Sequence, residues 1–398
     1  MPIYGNIKFL NMFSRKKNIF IVAGGTGGHI IPARCVSEEL SKDYKVLFFG
    51  DKKILSYIDD KDIFKTKVIS SSQIKKSLPF LLKAALKISF GIMQSVFYTA
   101  LYNPKYVITF GGYATFPFLI ACVIFRKKII LHEQNAHLGK VNRIFAKYAH
   151  KIALSFPETD GIKSELNHKV VFVGNPVRKE ILSLNDIDYE LPVVHEPELR
   201  KDNKMGYNVI LKSDFTPQIV KRELFKILVI GGSGGAKIFS EILPKAFFNL
   251  KDDIKTNIVI TQQCRPELTK STFDQYRSYN LNIVIDSFFK DMPEIIKGSH
   301  LIIARSGSSS IFEFCAAKKP MILIPFAKSA DDHQQKNANY LEKLGAAIVI
   351  KEEELKINEF SELVSNLIQN STILKKMSEN SSKITPKDSV SKIIQLIK

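Results

Sequence analysis

Short apolar runs alternate with longer stretches of helical spacing along most of the chain, and this alternation is typical of parallel sheets covered by helices. In the first half, the runs predicted as strands are 45–49, 106–109, 128–132 and 170–173. In the second half they are 226–230, 257–260, 282–285, 301–304 and 321–325. Helical spacing lies between them, for example at 32–41, 138–148, 236–249 and 334–344. We therefore predict an α/β fold built from doubly wound parallel sheets.

Two glycine-rich turns of nearly the same design follow apolar runs, one near the start of each half. They are Gly24-Gly-Thr-Gly-Gly-His29 and Gly231-Gly-Ser-Gly-Gly-Ala236. A buried strand that passes through such a turn into a helix offers free backbone N–H groups and a positive helix end, which suit phosphate. Neither turn is the dinucleotide fingerprint, because Ile30 and Lys237 stand where its third glycine belongs. The pair predicts two Rossmann-like domains facing one cleft, although each turn alone could be purely structural.

The chain has 398 residues, which is more than one hydrophobic core usually serves. Residues 183–224 are charged, contain three prolines and show no sustained period, so we predict a linker there that is long and partly disordered. The predicted divisions are an N-terminal extension (1–17), a first domain (18–182), the linker, a second domain (225–380) and a C-terminal helix (381–398).

The chain is strongly basic, with 58 lysines and arginines against 39 aspartates and glutamates, a net charge of +19. Such a charge favours polyanionic partners. No nucleic-acid-binding module is recognisable and the aromatic residues do not interleave with the basic ones, so we expect no nucleic acid partner. The four cysteines form no Cys-x-x-Cys pair, which predicts buried, reduced thiols in a cytoplasmic protein.

Residues 75–102 form a long segment in which Lys76, Lys83, Lys87 and Gln94 share one helical face. Its uncharged part, 88–102, has 15 residues, whereas a membrane span needs about 20. The pattern alone favours a core helix. The alternative is a helix whose N-terminal end also contacts a membrane surface.

The loops after the predicted strands carry glycine, serine, asparagine, glutamine and single charges. Ligands of open parallel sheets bind at the carboxyl ends of the strands, so these loops hold the candidate chemistry. Their residue types suit a sugar and a diphosphate better than a metal ion. The acidic pair Asp331-Asp332 could equally cap the helix that follows it.

In chain order, the motifs of these loops and of the helices after them are Gly24-Gly-Thr-Gly-Gly-His29, Phe110-Gly-Gly-Tyr113, His132-Glu-Gln-Asn135, Gly174-Asn-Pro-Val-Arg178, Gly231-Gly-Ser233, Arg305-Ser-Gly307, Glu313 and His333-Gln334. Taken in this order, they resemble the MurG family, the UDP-N-acetylglucosamine:lipid I N-acetylglucosaminyltransferases of peptidoglycan synthesis. The resemblance covers about residues 18–380. Two positions depart from the family pattern: Gly234 stands where a glutamine is frequent, and Thr115-Phe116 replaces a Ser-Gly type pair.

The resemblance implies the B-type glycosyltransferase fold and an inverting reaction that needs neither metal nor cofactor. N-acetylglucosamine would pass from UDP-N-acetylglucosamine to the 4-hydroxyl of the muramoyl sugar of lipid I, an undecaprenyl-pyrophosphoryl-muramoyl-pentapeptide, giving lipid II. Residues 18–182 would bind the acceptor and the membrane, and residues 225–380 the donor. The protein would be peripheral at the cytoplasmic face of the plasma membrane.

The resemblance also implies roles for single residues. In the second half, Ser233 would contact the diphosphate, Phe289 the uracil through its backbone, Ser308, Ser309 and Ser310 the diphosphate and sugar, Glu313 the ribose, and Gln334 and Asn337 the donor sugar. In the first half, Asn135 and Arg178 would reach the donor across the cleft, while Thr26, Gly27 and Gly28 would leave room for the acceptor diphosphate. Alternatives stay open: a capping box of Ser310 with Glu313, and a solvated helix start at Arg178.

An inverting displacement needs one general base near the acceptor hydroxyl. His29 is the first candidate, because a histidine with the reference pKa of about 6.5 is mostly neutral at pH 7. Glu133 is the second candidate. A purely structural histidine at the end of the glycine turn remains the alternative for His29.

The resemblance favours membrane contact by the 75–82 end of the amphipathic segment. Lys75, Lys76 and Lys140 would meet an anionic surface, and Leu78 and Phe80 would enter the interface.

Three other functions remain open. An NAD-dependent oxidoreductase could use Asp51 for a ribose, but it leaves the second glycine turn unexplained. A UDP-sugar epimerase on the same fold would need no lipid-facing helix. A non-enzymatic basic protein would bind membranes or nucleic acid.

Overall fold

Two all-parallel sheets organise the chain. The computed structural model describes residues 16–58, 62–73, 78–192, 208–210, 218–220, 223–232 and 235–398. The first sheet contains β1 (Asn18–Val22), β2 (Lys45–Gly50), β3 (Lys65–Val68), β4 (Tyr106–Thr109), β5 (Lys128–Glu133), β6 (Lys151–Leu154) and β7 (Val170–Phe172). A short antiparallel pair follows, β8 (Asn208–Ile210) and β9 (Gln218–Val220). The second sheet contains β10 (Phe225–Ile230), β11 (Ile258–Gln263), β12 (Ile283–Asp286), β13 (Leu301–Ala304), β14 (Met321–Leu323) and β15 (Ala347–Val349).

Helices connect the strands of both sheets. In the first half they are α1 (Gly27–Leu40), α2 (Leu78–Tyr102), α3 (Phe116–Ile124), α4 (Lys140–Phe145) and α5 (Lys179–Leu182). In the second half they are α6 (Lys237–Phe248), α7 (Asp252–Lys255), α8 (Thr269–Ser278), α9 (Met292–Gly298), α10 (Ser308–Ala316), α11 (His333–Lys343), α12 (Ile357–Gln369), α13 (Ser371–Ser381) and α14 (Ser389–Gln395).

Both sheets reverse their strand order at one point. The first sheet has the order β3-β2-β1-β4-β5-β6-β7, and the second has β12-β11-β10-β13-β14-β15. The order therefore reverses between β1 and β4, and again between β10 and β13. Ligands of open α/β sheets bind at the carboxyl ends of the strands beside such a switch point. The glycine-rich turns after β1 and β10 lie at these two points.

Apolar side chains cover both faces of each sheet, as the doubly wound prediction requires. Strands buried on both faces are continuous apolar runs rather than alternating ones, which is why they are visible in the sequence. In the first half, Phe20 and Phe118 contact Phe49 at ring-centroid distances of 4.7 and 4.5 Å. The predicted two-sheet α/β architecture is confirmed.

The structure adds three strands to the parallel sheets that the apolar runs did not predict, namely β3, β6 and β15, and the pair β8 and β9 lies within the predicted linker. β3 is a half-exposed edge strand that contains two lysines, and β15 has only three residues. Helix α1 begins at Gly27, five residues before the predicted start at 32, because the last glycines of the turn form its first helical residues. The predicted helix 138–148 is α4 followed by a single 3₁₀ turn.

The predicted linker is packed at its start. Residues 183–186 form a 3₁₀ turn, and Tyr189 and Leu191 pack against the core of the second half. The Tyr189 hydroxyl donates a hydrogen bond to the His300 carbonyl at 2.7 Å. Most of the predicted disordered stretch, and residues 1–15 of the predicted extension, lie outside the described residues.

At the other end of the chain, Ile393 of α14 and Ile397 pack in the core of the first half beside α1, so the chain connects the halves twice.

Helix α2 has two very different faces. Its buried face carries small residues, Ala84, Gly91, Ser95 and Thr99, and a Cβ atom on Gly91 would lie only 1.9 Å from the Ser70 carbonyl oxygen. The opposite face exposes a line of large apolar side chains: Leu82, Leu86, Phe90, Met93, Phe97 and Leu101, each at least 55% exposed. This differs from the core helix that the pattern alone favours. By length and composition Phe80–Tyr102 could cross a membrane, although here the helix lies along the first domain.

Candidate active site

The loops at the two switch points meet in a cleft between the halves, and an apolar contact joins its walls. Phe156 of the first half is fully buried against Phe312 and Tyr340 of the second, with ring centroids 4.9 and 5.1 Å away. At the glycine turn, the Ser309 hydroxyl donates to the Gly28 carbonyl at 2.8 Å. The structure therefore brings together candidate site residues from both halves.

His29 lies in the first turn of α1, against the loop that follows β4. Its Nδ1 atom is 3.1 Å from Oε1 of Gln134. A Cβ atom on Gly112 would approach the ring to 3.2 Å, so the glycines after Phe110 make room for the imidazole. Burial lowers the pKa of His29 below its ordinary value, aided by His333 and opposed by Glu133, Gln134 and the Phe110 carbonyl. The imidazole is therefore neutral at pH 7, as a general base requires.

Thr26, Gly27 and Gly28 form the start of α1. Thr26 is the exposed N-cap residue, and its side chain makes no capping hydrogen bond. Its backbone carbonyl accepts from His29 and Ile30 at 3.1 and 3.2 Å. The first-turn N–H groups of an α-helix have no partner within the helix. The predicted space for a diphosphate thus coincides with a helix N-terminus.

Glu133, the second candidate base, is buried with its carboxylate fully engaged. Oε1 accepts from the backbone N–H and side-chain amide of Asn135 at 3.2 and 3.1 Å. Oε2 accepts from the Gly139 N–H and the Asn142 amide, both at 2.8 Å. These four bonds fold the loop between β5 and α4 around the carboxylate. Glu133 therefore orders the loop and has no free lone pair directed at a substrate.

The predicted sugar-binding amides contact other parts of the protein. Asn337 is fully buried; its Oδ1 accepts from the Ala136 N–H at 2.8 Å, and its Nδ2 donates to Asn135 Oδ1 and the Ser306 carbonyl, both at 3.1 Å. Oε1 of Gln334 accepts from the Phe326 N–H at 2.9 Å. Asn135 and Asn337 thus join the two walls of the cleft in this arrangement.

Arg178 and Glu313 form a bidentate ion pair across the cleft. Arg178 Nε donates to Glu313 Oε1 at 2.6 Å, and Nη2 donates to Oε2 at 2.7 Å. The Glu313 side chain is 7% exposed and that of Arg178 30%. No side-chain cap bond occurs at the start of α10, whose N-cap is Gly307, so the capping-box alternative for Glu313 is not seen. The alternative of a solvated Arg178 is likewise not seen.

The remaining residues predicted to bind the donor lie at the carboxyl edge of the second sheet. Ser308, Ser309 and Ser310 form the first turn of α10, directly after β13. Phe289 is half-buried in the loop after the edge strand β12. The prediction for Ser233 lies outside the described residues.

Several polar residues to which the family resemblance assigned no role hold the cleft loops in place. Asp51 accepts from the Gly25 N–H at 3.2 Å and from the Tyr113 hydroxyl, so its carboxylate is used inside the glycine turn and not open to a ribose. The buried Arg305 guanidinium lies between Phe239 and Phe326 and donates to the carbonyls of Ile324 and Pro325 at 2.9 Å. Gln134 also belongs to this group. Sequence analysis did not assign them this role, because a polar residue after a strand has the same sequence signature whether it binds a ligand or the protein backbone.

The chain is similar to known proteins over most of its length. The glycosyltransferase family 28 N-terminal domain matches residues 19–154, and the family 28 C-terminal domain matches residues 226–395. A relative from Paramagnetospirillum magneticum is 33% identical over 86% of this chain and 85% of its own length. One from Rickettsia bellii is 33% identical, covering 92% and 94%. Both carry the name UDP-N-acetylglucosamine--N-acetylmuramyl-(pentapeptide) pyrophosphoryl-undecaprenol N-acetylglucosamine transferase.

This chain belongs to the MurG family of glycosyltransferases. The crystal structure of Acinetobacter baumannii MurG matches with a TM-score of 0.70 at 23% identity, covering 96% of this chain and 99% of that one, which supports the shared fold. The family resemblance and the B-type fold expected from the loops are confirmed. Family membership makes the protein a glycosyltransferase.

The cross-cleft ion pair of this MurG-family chain can be measured by a double-mutant cycle. We expect Arg178→Met and Glu313→Gln each to lower the free energy of unfolding by about 1.5–3 kcal/mol, because each leaves a partly buried group without its charged partner. The double variant should lose less than the sum of the two. Urea unfolding gives the values. The exposed pair Lys237–Glu241 is the matched control, with an expected coupling of about 0.3–0.5 kcal/mol. Additive losses for Arg178 and Glu313 would contradict the prediction.

Proposed function

We propose that this protein transfers N-acetylglucosamine from UDP-N-acetylglucosamine to the 4-hydroxyl of the muramoyl sugar of lipid I, giving lipid II. The observation that carries the proposal is the contact between the first glycine-rich turn and the start of α10, where the Ser309 hydroxyl donates to the Gly28 carbonyl at 2.8 Å. His29 lies on one wall and the start of α10 on the other. The names of the family relatives supply the donor and the acceptor.

The donor is proposed to bind mainly to the second half. The N-terminus of α10 and the turn after β10 would hold the diphosphate, with Phe289 beside the uracil. Glu313 would accept the ribose hydroxyls, since a carboxylate can take two hydrogen bonds. Arg178 now donates to both carboxylate oxygens of Glu313. The ion pair must therefore open for the ribose to bind, and Arg178 would then be free to turn toward the diphosphate.

The acceptor is proposed to bind to the first half, with its diphosphate at the start of α1. The His29 imidazole would remove the proton of the attacking hydroxyl as the bond to the anomeric carbon forms and UDP leaves with inversion. The charge on the leaving diphosphate would be stabilised by backbone N–H groups and a helix N-terminus. Glu133 is not proposed as the base, since its four hydrogen bonds occupy it.

Membrane attachment is proposed along the whole exposed face of α2, and not only at its N-terminal end. The apolar line from Leu82 to Leu101 lies beside the exposed Lys83 and Lys87, and Lys140 of α4 is 73% exposed. Apolar side chains flanked by lysines suit an anionic bilayer surface, where each lysine contributes about 1 kcal/mol. Lys75, Lys76 and the Leu78 side chain lie outside what the structure describes. The protein would then be peripheral at the cytoplasmic face of the plasma membrane.

Transfer is favoured over the alternatives. The relatives that share a third of this sequence carry a transferase name, which favours transfer over a UDP-sugar epimerase of the same fold. The use of Asp51 inside the first glycine turn argues against an NAD site. The family membership disfavours a non-enzymatic membrane- or nucleic-acid-binding protein.

Purified protein should make lipid II from lipid I and radiolabelled UDP-N-acetylglucosamine, and excess EDTA should leave the rate unchanged. The reason is that no three histidine, cysteine or acidic side chains converge as a metal site within the described ranges. UDP-glucose serves as the control donor. Loss of activity with EDTA, restored by magnesium or manganese, would exclude the metal-free mechanism.

Removal of the Glu313 carboxylate should weaken UDP binding by about 1.5–3 kcal/mol, the range for hydrogen bonds to a charged group. Calorimetric titration of Glu313→Ala with UDP measures this. Glu241→Ala, an exposed glutamate on α6, is the control. Equal UDP affinity for Glu313→Ala and the parent protein would refute the ribose assignment.

His29→Ala should lower kcat by roughly 10²–10⁴ while the donor Kd changes little, since the donor is held by the other half. The pH profile of the parent should also report this group. Because burial lowers the pKa of His29, its base form persists below the reference pKa of about 6.5, and kcat should fall only at more acidic pH. A kcat close to that of the parent would leave His29 a structural role.

Lys83→Glu/Lys87→Glu should reduce binding to anionic vesicles by at least about 2 kcal/mol, because two favourable charges become repulsive. Binding of the parent should also fall as salt rises. Lys375→Glu/Lys376→Glu makes the same charge change on exposed positions of α13 and should bind like the parent. Co-sedimentation with phosphatidylserine and with neutral phosphatidylcholine vesicles gives both comparisons; equal binding to the two vesicle types would contradict the proposal.

A further inference from the structure

A chain of hydrogen bonds runs from the candidate base into the first sheet, and a single amide connects its members. Gln134 is 1% exposed and lies directly after β5. Its Oε1 faces His29 Nδ1 at 3.1 Å, and its Nε2 faces both the Phe110 carbonyl at 2.8 Å and His132 Nδ1 at 3.0 Å. His132 in turn places Nε2 3.4 Å from the Gly174 carbonyl.

The backbone carbonyl of Phe110 decides the orientation of the amide. A carbonyl oxygen can only accept, so the Gln134 atom that faces it must be the NH₂ group. Reversing the amide would set two acceptor oxygens 2.8 Å apart in a buried place. The amide oxygen therefore points at His29, and the second amide hydrogen points at His132.

This orientation fixes the protons on both histidines. An amide oxygen accepts, so His29 must carry its proton on Nδ1, and the lone pair stays on Nε2. His132 Nδ1 receives a hydrogen from the amide, so its own proton lies on Nε2 and is donated to Gly174. Burial lowers the pKa of His132 to about 3, so it stays neutral and passes no second proton along the chain.

We propose that Gln134 is the positioning residue that holds His29 in the Nδ1–H form, leaving Nε2 as the atom that accepts the proton of the attacking hydroxyl. This inference rests on the proposed function of His29. A group that fixes the tautomer of a catalytic histidine controls its rate without contacting the substrate. The sequence alone does not indicate this positioning role, because Gln134 is one of several polar residues in the loops after the strands.

The first test observes the tautomer directly and needs no substrate. In ¹⁵N-histidine-labelled protein, His29 should show a pyrrole-type signal at Nδ1 and a pyridine-type signal at Nε2, identified by their loss in His29→Ala. Gln134→Met removes the amide acceptor and leaves the Phe110 carbonyl as the acceptor near His29, so the variant should weaken this pattern. A parent protein with the Nε2–H form of His29 would overturn the inference whatever its activity, and leave the role of His29 as base to be judged by His29→Ala alone.

The second test compares two variants whose pH profiles should move in opposite directions. Gln134→Met removes a hydrogen bond that raises the pKa of His29, so the acid limb of kcat should shift to lower pH by roughly 0.5–1 unit. Gln134→Glu keeps an acceptor for His29 and adds a negative charge, so the limb should shift to higher pH by about one unit or more. Its second carboxylate oxygen faces the Phe110 carbonyl in place of the NH₂ group, so this variant should also be less stable than the parent, and urea unfolding checks that it folds. Glu133, His333, His132 and the Phe110 carbonyl also act on His29 and are unchanged in both variants.

In Gln134→Met we expect kcat to fall by between about 10-fold and 10⁴-fold, the range seen when partners that orient functional histidines are removed. The donor Kd should stay within twofold of the parent value. Gln275→Met, a half-buried glutamine on α8 far from the cleft, is the matched control. A loss of kcat with an unmoved acid limb in both variants would mean a merely structural role and would overturn the proposal.

Discussion

Irregular backbone that is buried must find hydrogen-bond partners, and the cleft of this protein is built around that requirement. The loops after the strands have no ladder to complete, so side chains complete their bonds. Glu133 takes the N–H groups of Asn135 and Gly139, and Arg305 takes the carbonyls of Ile324 and Pro325. Several polar residues that resemble catalytic residues in the sequence therefore stabilise the loops that carry the candidate site.

The same requirement explains why the two halves contact each other through their candidate ligand residues. In this closed arrangement Ser309, Glu313 and Asn337 bind Gly28, Arg178 and Ala136. If these side chains bind the donor as proposed, they must exchange these protein partners for the ligand. The free energy of donor binding would then be the difference between the ligand contacts and these contacts.

Helix α2 shows how one element meets two environments. Its small residues let the helix backbone approach the loop at Ser70 closely, and this fixes its orientation on the domain. With that face used, the large apolar side chains point outward along the whole length of the helix. A contiguous apolar surface of this size marks an interaction site. The lysines beside it favour a negatively charged surface over an uncharged one.

The sequence predicted the two parallel sheets well, because strands buried on both faces are unbroken apolar runs. It missed β3, whose lysines reflect an exposed edge, and it placed the start of α1 too late because glycines weaken any helical pattern. The family followed from the order of the loop motifs, since order is a property of the chain itself. The order of the motifs could not decide whether Glu133 is the base, because that depends on the hydrogen bonds that its carboxylate makes.

Only the tertiary structure decided which side chains pair when they are distant in the chain. Arg178 and Glu313 are 135 positions apart, and nothing local to either shows that they pair. The proton on His29 depends on a glutamine 105 positions away and, through it, on the Phe110 carbonyl. The sequence by itself determined which residue types reach the cleft, because apolar periodicity and turn glycines act locally. Which of them bind backbone, each other or substrate depends on hydrogen-bond geometry, and that exists only once the two sheets have packed.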